Sequence, residues 1–484
     1  MLFHKFVIIG AGKTGLDVCQ RLSSQGLDVL LVEANDIGGS YLFSYDYPKE
    51  ILSNEAKQYV QVNQTYPNLN LNKDQTIDFL SQRVKKRVSY RYRKLKAILQ
   101  KYENLEIIYG RAKFNTKNIL TIAQKDGQEV NVAFEHCLIC TGKSEMTLPN
   151  FKGIENIEIL HQHNSFFGET IPESLAILGV TKQNLEIAEI FTNLGTSVTI
   201  FDPGAPEQIL PNQDTTGINY ILQNLLRKGI EFYFNLGIRK ITNIPLENPE
   251  LEKKENTEEG EEKEEKEPKT SAIQKIQIED DEENKYEFTH LYSEVIESYS
   301  ESLGLESVGV KFSDKGIYCT STGQTTQKNI WTFGSASNSF RKVSMDQQLH
   351  NFVEKYKVTN QLEANLSRSL VMLNPVNNQN ATEIIDFSFE YERINLNRPV
   401  VTVGLAYKKA VGKYGPIIRF NIIFNDGKEG FVKVIYNEHN KQILGFVGTG
   451  EVCDELYTTF VNSLIKTTTI KDFENLIFNL GYKR

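Results

Sequence analysis

Three glycines and a carboxylate near the amino end of the chain have the types and spacing of a nucleotide site. The segment Gly10-Ala-Gly12-Lys-Thr-Gly15 stands between a short apolar run and an amphipathic helical pattern. Gly10 permits a tight turn, Gly12 lets backbone approach a diphosphate, and Gly15 lets the helix pack closely on the strand. Glu33 ends the next apolar run, where a carboxylate accepts the hydroxyls of an adenosine ribose. Together they predict a dinucleotide site with its diphosphate at the positive end of the helix.

The same pattern returns in altered form at Ser174–Asp202. Two units of strand, turn, helix and strand predict an α/β protein with two Rossmann-like parallel sheets. In the second turn, Gly179-Val-Thr-Lys-Gln-Asn184, only the first glycine remains, and Thr181 puts a side chain in the path of a diphosphate. Asp202 ends the next strand and could hold a ribose, which favours NAD over NADP. We therefore expect NAD(H) binding to be weak or absent.

Other segments set the organisation around these two units. Asp74–Tyr102 predicts a long helix rich in lysine and arginine, either a nucleic-acid surface or, as we prefer because no nucleic-acid motif accompanies it, a solvated face. Leu246–Pro268 is a Glu/Lys tract that predicts a mobile insertion, an inert tether rather than a site for a basic partner. From about Arg398, strands alternate with turns, which predicts a separate α+β module ending in a helix over Asp454–Ile465.

Composition narrows the class further. The chain has 484 residues, of which 40% are hydrophobic, enough for several packed cores, and its net charge is −8. No segment has the roughly 18 apolar residues of a membrane span. The start of the chain reads as a strand rather than a signal peptide. Five cysteines form no disulfide framework, so we expect a cytoplasmic protein without a membrane or nucleic-acid partner.

Short motifs in a fixed order carry a family resemblance. They are GGS at Gly38–Ser40, GRAKF at Gly110–Phe114, LICTGKS at Leu138–Ser144 and IWTFGSA at Ile330–Ala336, followed by GFVKVI at Gly430–Ile435. The first four resemble the successive FAD contacts of the pyridine nucleotide–disulfide oxidoreductases, the family of dihydrolipoamide dehydrogenase, glutathione reductase and mercuric reductase. The last resembles the dimerisation domain of that family.

The resemblance implies a homodimer with divided domains. It places an FAD-binding domain at residues 1–150 and 316–375, an NAD(P)-binding-like domain at 151–315 and a dimerisation domain at 376–484. It also implies an FAD site formed by Gly10, Gly12, Gly15, Glu33, Gly39, Ser40, Ala112, Thr141, Gly142, Gly334 and Ser335, with Gly179 and Asp202 as the remnant of the second site.

The segment DIGGSYLFSYDYPKE at Asp36–Glu50 departs from the family at the residues that perform its chemistry. Active relatives carry two cysteines after the paired glycines, and here Tyr41 and Asp46 stand at those positions. Disulfide exchange needs an attacking thiolate and a resolving thiol, which neither residue supplies. The histidine that serves the dithiol in relatives is missing too, because no histidine follows His439. Disulfide reductase activity is therefore predicted to be absent.

Other positions near the expected flavin are altered less. Ser335 replaces the aspartate that holds the ribityl chain in relatives, so one hydrogen bond remains without the charge. Glu186 occupies the position of a glutamate that pairs with a lysine beside the flavin. Lys49 lies one residue before the aligned lysine position, and Glu50 takes that place. A Lys49–Glu186 pair would tune the flavin, or it would be an ordinary surface ion pair.

The remaining candidates have structural interpretations. Tyr41, Tyr45 and Tyr47 either stack on the flavin or plug the cavity that the dithiol and its substrate would have used. Cys137 and Cys140 lie on an apolar strand, whose side chains alternate faces, so we expect buried structural cysteines. His161 and His163 lack further ligands, and no metal site is predicted.

Two function classes follow. One is an FAD-dependent oxidoreductase that passes electrons to a quinone, oxygen or another small acceptor. The other is a catalytically silent flavoprotein or empty scaffold, used in regulation or protein interaction.

Overall fold

The computed structural model shows an α/β chain with three main sheets. The Glu/Lys tract, Tyr45, His163 and most of the predicted helix Asp454–Ile465 lie outside the described residues. None of the described helices combines the length and the apolar character that crossing a membrane requires. The described residues are 1–44, 46–66, 73–143, 145–147, 152–154, 157–161, 171–211, 213–244, 275–294, 296–298, 302–320, 322–338, 352, 391–424, 428–456 and 469–478.

The helices and strands follow in chain order. The amino-terminal part contains β1 (Leu2–Ile9), α1 (Lys13–Ser23), β2 (Val29–Glu33), α2 (Gly39–Phe43), α3 (Asp46–Thr65), α4 (Lys73–Leu99), β3 (Leu105–Thr116), β4 (Ile119–Gln124) and β5 (Glu129–Ile139). The middle contains β6 (Glu145–Thr147), β7 (Ile159–Leu160), β8 (Ser174–Leu178), α5 (Lys182–Asn193), β9 (Ser197–Asp202), α6 (Thr215–Arg227), β10 (Glu231–Phe234), β11 (Ile238–Ile244), β12 (Lys275–Asp280), β13 (Lys285–Phe288), β14 (His290–Ser293) and β15 (Ile296–Ser298). The carboxyl-terminal part contains β16 (Phe312–Ser313), β17 (Gly316–Ile317), β18 (Ile330–Thr332), β19 (Tyr391–Ile394), β20 (Val400–Gly404), α7 (Tyr407–Tyr414), β21 (Ile418–Ile423), β22 (Phe431–Asn437), β23 (Ile443–Thr449) and α8 (Ile470–Phe478).

The first sheet has a parallel centre with β3, β2, β1, β5 and β18 side by side. Strand β4 pairs antiparallel with the carboxyl-terminal part of β3 and with the amino-terminal part of β5. Side chains of β1 alternate between two hydrophobic clusters: Phe6 and Ile8 share one with α1, and Val7 and Ile9 belong to the other. Because β18 joins β5, a segment more than 300 residues along the chain completes the sheet that β1 begins.

The second sheet is fully parallel, in the order β10, β9, β8, β14 and β7. Strands β8 and β9 with helix α5 form the second strand–turn–helix–strand unit that the sequence predicts. The antiparallel strands β11, β12 and β13 lie beside it, and β6 pairs with β15. The third sheet is antiparallel, in the order β19, β20, β23, β22 and β21. The predicted fold, two Rossmann-like domains and a carboxyl-terminal α+β domain, is confirmed.

The long basic helix α4 packs on the first domain. Its buried side chains recur at helical spacing and belong to the same hydrophobic cluster as α1 and α3. Arg83 and Arg87 reach back to the buried carboxylate of Glu55 on α3, with nitrogen–oxygen distances of 2.9 and 3.3 Å. The predicted apolar face of this helix is therefore present. Its buried residues are Leu80, Val84, Val88, Leu95 and Leu99.

A buried ion pair joins the third sheet to the second domain. Lys433 on β22 lies 2.8 Å from the carboxylate of Asp214, and their side chains are 5% and 1% exposed. Asp214 also caps α6 by accepting the backbone amide of Thr216 at 2.9 Å. Burial alone would raise the pKa of Asp214, but the hydrogen bond and charge of Lys433 bring it below its ordinary value.

We predict that Lys433→Met lowers the free energy of unfolding by about 3–5 kcal/mol at pH 7, because it strands a buried carboxylate. The lowered pKa of Asp214 means that the stabilisation is complete above the ordinary aspartate pKa of about 3.9 and is lost as the pH falls through the folded pKa. Urea unfolding should therefore show the difference between wild type and variant shrinking below about pH 4.

The matched control is Lys428→Met, which breaks an exposed ion pair with Glu455 in the same domain. Exposed pairs contribute about 0–1 kcal/mol, so this variant should stay near wild type. Equal losses in the two variants, or a loss in Lys433→Met that does not change with pH, would contradict the account.

Candidate functional site

The turn between β1 and α1 has the geometry that its glycines predict. Gly10 has φ of +101°, and a Cβ on it would lie 2.6 Å from the carbonyl oxygen of Cys140. A Cβ on Gly15 would lie 1.8 Å from the carbonyl oxygen of Gly10, so only glycine lets α1 lie this close to the turn. A Cβ on Gly12 would meet nothing within 4 Å. Gly12 is therefore required neither by φ nor by packing, and the open space at it suits a ligand.

Helix α1 leaves its first backbone amides without a side-chain cap. Gly12 is the N-cap residue, with extended φ and ψ of −72° and −174°, and no side chain supplies a capping hydrogen bond there. Uncapped amides at the positive end of a helix form an anion site.

Three further predicted segments surround this turn. The amide of Gly38 donates to the carbonyl of Ala11 at 2.8 Å, which brings the GGS segment against the turn. A Cβ on Gly39 would lie 3.0 Å from the Cα of Gly12. On the other side, the amide of Cys140 donates to the carbonyl of Ile9 at 2.8 Å, so Thr141 follows directly beside the turn.

The last segment comes from β18. A Cβ on Gly334 would lie 2.4 Å from Oγ1 of Thr14 in α1, and one on Gly142 would lie 3.6 Å from Oγ of Ser335. The structure thus brings together residues distributed over more than 300 positions of sequence. Residues that share the site are Gly10, Gly12, Gly15, Gly39, Thr141, Gly142, Gly334 and Ser335. Ser40 follows Gly39 on α2 and is exposed.

Glu33 holds the turn from the end of β2. Its two carboxylate oxygens accept the backbone amides of Ala11 at 2.6 Å and Asn35 at 2.8 Å. A carboxylate oxygen can accept a second hydrogen bond, so this buried group remains able to receive a ribose hydroxyl.

The side chain of Ala112 lies away from the glycine turn. It is buried in the hydrophobic cluster of β4 and β5, on the face of the first sheet opposite to α1. Its side chain therefore does not border the glycine turn.

The second turn shares the positive φ of its first glycine and the carboxylate contact with the first turn, but it carries other residues at the remaining two glycine positions. Gly179 has φ of +83°, and Asp202 accepts the amides of Val180 at 2.6 Å and Gly204 at 2.7 Å, much as Glu33 does. Asn184, at the position of the third glycine, is fully buried and donates to the carbonyls of Leu178 at 2.8 Å and Gly179 at 2.7 Å. The Asn184 side chain thus bonds α5 to its turn, whereas in the first unit Gly15 lets α1 pack directly against the Gly10 carbonyl.

The two positions where the family resemblance predicts redox cysteines carry an aromatic and an acidic side chain. Tyr41 lies on α2, half-buried, with the Lys13 ammonium 5.0 Å from its ring centroid. The Tyr47 ring is 6.3 Å away between centroids. Burial raises the pKa of Tyr41, and the charge of Glu50 raises it further. Asp46 is the first residue of α3 and exposed, on the same helix face as Lys49.

Lys49 and Glu186 form an ion pair between α3 and α5. Their side chains are 11% and 2% exposed, so the alternative of an ordinary surface ion pair is wrong. The second carboxylate oxygen of Glu186 accepts the backbone amide of Asn395 at 2.7 Å. Glu50, the residue at the aligned position, is exposed instead. The helical phase of α3 therefore selects Lys49.

The other sequence candidates stay outside this site. Cys137 and Cys140 belong to different hydrophobic clusters, on opposite faces of the sheet, and burial raises the pKa of both thiols. His161 is partly buried. Within the described ranges, no group of three or more His, Cys, Asp or Glu side chains is placed to hold a metal ion.

The sequence did not indicate that Thr181 of the second turn pairs with Glu294. The hydroxyl of Thr181 donates to the carboxylate of Glu294 at 2.8 Å. Glu294 directly follows β14, which pairs with β8. A carboxylate after an apolar run was a usable signal, but the pairing of β14 with β8 joins residues more than 110 positions apart and has no local signature.

Comparison with known proteins gives a consistent result. The model of the family described as pyridine nucleotide-disulphide oxidoreductase matches residues 4–351. Dihydrolipoyl dehydrogenase of Zymomonas mobilis is 22% identical over 483 residues, 98% of this chain and 94% of that protein. Mercuric reductase of Shigella flexneri is 29% identical over 202 residues, 40% of this chain and 35% of that protein. Dihydrolipoyl dehydrogenase 3 of Haloarcula marismortui is 26% identical over 242 residues, so the chain spans about half, 48%, of its length.

Solved structures share the fold. The Cu(II) complex of a cysteine-to-serine mutant of the HOCl-induced flavoprotein disulfide reductase RclA from Escherichia coli superposes with a TM-score of 0.72 at 18% identity. The match covers 97% of this chain and 94% of that one. RclA itself gives 0.70 at 18% identity, with 96% and 94% covered.

A pair of glycine substitutions separates folding from ligand binding at the first turn. We predict that Gly15→Ala lowers the free energy of unfolding of the apoprotein by about 3 kcal/mol or more, because its Cβ overlaps the Gly10 carbonyl. Gly12→Ala should change it by at most about 1 kcal/mol, since the Cβ enters open space. Urea unfolding of both apoproteins measures this difference.

The same Gly12→Ala variant should bind FAD at least tenfold more weakly, which is about 1.4 kcal/mol. Titration of the apoprotein with FAD, followed by flavin fluorescence, measures it. Wild-type affinity in Gly12→Ala would show that the open space at this turn receives no diphosphate.

Proposed function

Because the chain belongs to the pyridine nucleotide-disulphide oxidoreductase family, we propose that it is an FAD-binding flavoprotein that works without a protein disulfide. The observation that carries this proposal is the uncapped amino end of α1, open at Gly12 and bordered by three other segments of the family pattern.

The residues at the first turn fit FAD. Gly10, Gly12 and Gly15 would receive the diphosphate, and Glu33 would hold the adenosine ribose. When bound, FAD supplies two-electron redox chemistry at its ring system. Ser335, exposed beside Gly142, would hold the ribityl chain with a neutral bond, at a cost of about 1–3 kcal/mol relative to a charge-assisted one.

The positions of the redox pair offer no thiolate to carry electrons onward from this site. Tyr41 and Asp46 stand there, and the raised pKa of Tyr41 keeps its phenol protonated at neutral pH. Burial raises the pKa of the thiols of Cys19 and Cys453 to about 12, and that of Cys137 and Cys140 well above the usual range. We propose that FAD, reduced by a small-molecule two-electron donor other than a nicotinamide dinucleotide, passes those electrons directly to a small acceptor, such as a quinone or oxygen, with Tyr41 and Tyr47 bordering its path.

The Lys49–Glu186 pair supports an active flavoprotein. A buried cation held beside the expected flavin stabilises added negative charge, so it would make the flavin easier to reduce. The ammonium is fixed by its carboxylate partner, which is itself fixed by the amide of Asn395.

The second turn supports a proposal about nicotinamide dinucleotide binding. Because Thr181 stands at the position of Gly12 and caps α5 with its own hydroxyl, we propose that NAD(H) binds weakly or not at all, although Asp202 keeps its contact with the turn. The same observation favours the second candidate function, a catalytically silent flavoprotein that serves as a regulatory or interaction scaffold.

The assembly and location are also proposals. Phe420 and Ile422 on the edge strand β21, and Phe424 directly after it, are 43%, 39% and 40% exposed. These exposed apolar side chains support a homodimer. Sedimentation equilibrium should then give twice the mass of the 55.2 kDa chain. Buried thiols without disulfides at Cys19, Cys137, Cys140 and Cys453 support a cytoplasmic protein. We propose no nucleic-acid or membrane partner.

Visible spectroscopy tests the function directly. The purified protein is expected to be yellow, and anaerobic NADH or NADPH should leave the flavin band unchanged over minutes. After reduction with dithionite, a small quinone should restore the band within seconds, faster than a matched amount of free reduced FAD. A protein that is colourless and ignores added FAD would refute the flavin site. Bleaching by NADH within seconds would refute weak nicotinamide binding, and slow reoxidation would leave the silent scaffold.

Substitution of Lys49 tests the ion pair. We predict that Lys49→Gln keeps FAD bound but lowers its midpoint potential, because the charge of Glu186 is left uncompensated, by about 30 mV for each 1.4 kcal/mol of lost interaction. Lys125→Gln is the control: this exposed lysine lies in the turn between β4 and β5, at the opposite end of β5 from the glycine turn, where solvent and salt screen its charge. Equal potentials in the two variants would leave the pair with no part in tuning the flavin.

A further inference from the structure

The amino end of α5 is occupied by side chains of the protein itself. Thr181 is its N-cap residue, and its hydroxyl oxygen accepts the backbone amide of Asn184 at 3.1 Å. The same hydroxyl donates to the carboxylate of Glu294 at 2.8 Å. One hydroxyl therefore links a helix amide to an anion, in the region where a dinucleotide fold receives a diphosphate.

Strand register explains how Glu294 reaches this point. Strands β8 and β14 are parallel neighbours with Leu178 opposite Ser293, so Gly179 and Glu294 leave the same edge of the sheet side by side. The positive end of α5 stabilises a carboxylate there. The charge also reaches the interior, because burial, Glu294 and Glu186 together raise the pKa of the fully buried Tyr292.

The first unit has a neutral residue at the equivalent position. Strands β1 and β5 are parallel neighbours with Ile9 opposite Ile139, so Cys140 stands beside Gly10 as Glu294 stands beside Gly179. The amino end of α1 has no side-chain cap. The two turns therefore differ in charge at matched positions as well as in glycine content.

We propose that Glu294, held by Thr181, is an internal anionic ligand of the second turn and the residue that excludes the diphosphate of a nicotinamide dinucleotide. A phosphate and a carboxylate at one helix end repel each other, and the hydroxyl that would bind the phosphate is already bonded. This inference rests on the weak nicotinamide binding of the proposed function and assigns it to one side chain.

The test is calorimetric titration of the full-length protein, saturated with FAD, with NADH and separately with ADP-ribose. Wild type should bind neither probe with a dissociation constant below about 1 mM, so its titrations should show no heat of binding. Glu294→Gln keeps the side-chain size and a hydrogen-bond acceptor for Thr181, so the fold should survive. It should bind both probes at least tenfold more tightly than wild type, and Glu294→Gln with Thr181→Gly more tightly still.

Glu231→Gln is the matched control. It makes the same charge change in the same sheet, at the exposed amino end of β10, the edge opposite to the turns. It should bind no better than wild type. Wild type that binds NADH at micromolar concentration, or folded Glu294 variants that gain no affinity for either probe, would overturn the proposal. So would an equal gain in Glu231→Gln.

The readout separates this inference from the flavin proposal. ADP-ribose has no nicotinamide ring to oxidise, so its heat of binding contains no contribution from flavin reduction, and the visible band of the same samples reports FAD. Colourless variants that gain NADH binding would refute the flavin site and uphold the role of Glu294.

Discussion

One hydrogen bond organises both dinucleotide-type units. A carboxylate at the end of the second strand accepts a backbone amide of the glycine turn that follows the first strand. Glu33 holds Ala11 and Asp202 holds Val180, each with an oxygen–nitrogen distance of 2.6 Å. This charge-assisted bond fixes the turn, and the turn fixes where the following helix begins. The backbone amides of each turn, which a diphosphate would contact, are positioned by that short connection.

With the frame held in common, the interior of each turn decides what it can accept. In the first unit Gly15 admits the helix and Gly12 leaves space, so the positive end of α1 faces outward without a side-chain cap of its own. In the second unit Asn184 and Thr181 use the equivalent amide and carbonyl groups internally. The second helix is therefore capped by its own side chain and the first is not, although both units keep their parallel strands.

The sequence was sufficient where a residue type has one steric meaning. Glycines that tolerate positive φ or close backbone contact marked the first turn, and alternating apolar residues marked the strands. It was insufficient where a contact depends on the rotation of a helix about its axis or on the pairing of strands far apart in the chain. Only the rotation of α3 shows that Lys49 is buried and Glu50 exposed, and only the pairing of β14 with β8 shows that Glu294 meets Thr181. Ala112 sits on the expected strand, but its side chain lies on the far face of the sheet.

Helix α5 of the second domain contacts both of the other domains. Glu186 contacts Lys49 of the first domain and the backbone of Asn395 in the third, and Glu189 accepts the amide of Asn397 at 2.5 Å. Erosion of the glycine turn at its front end therefore carries little architectural penalty, whereas erosion of its acidic face would loosen three domains at once. Substitutions in the turn are therefore expected to disturb the arrangement of the domains less than substitutions on the acidic face of the helix, because that face contacts both of the other domains.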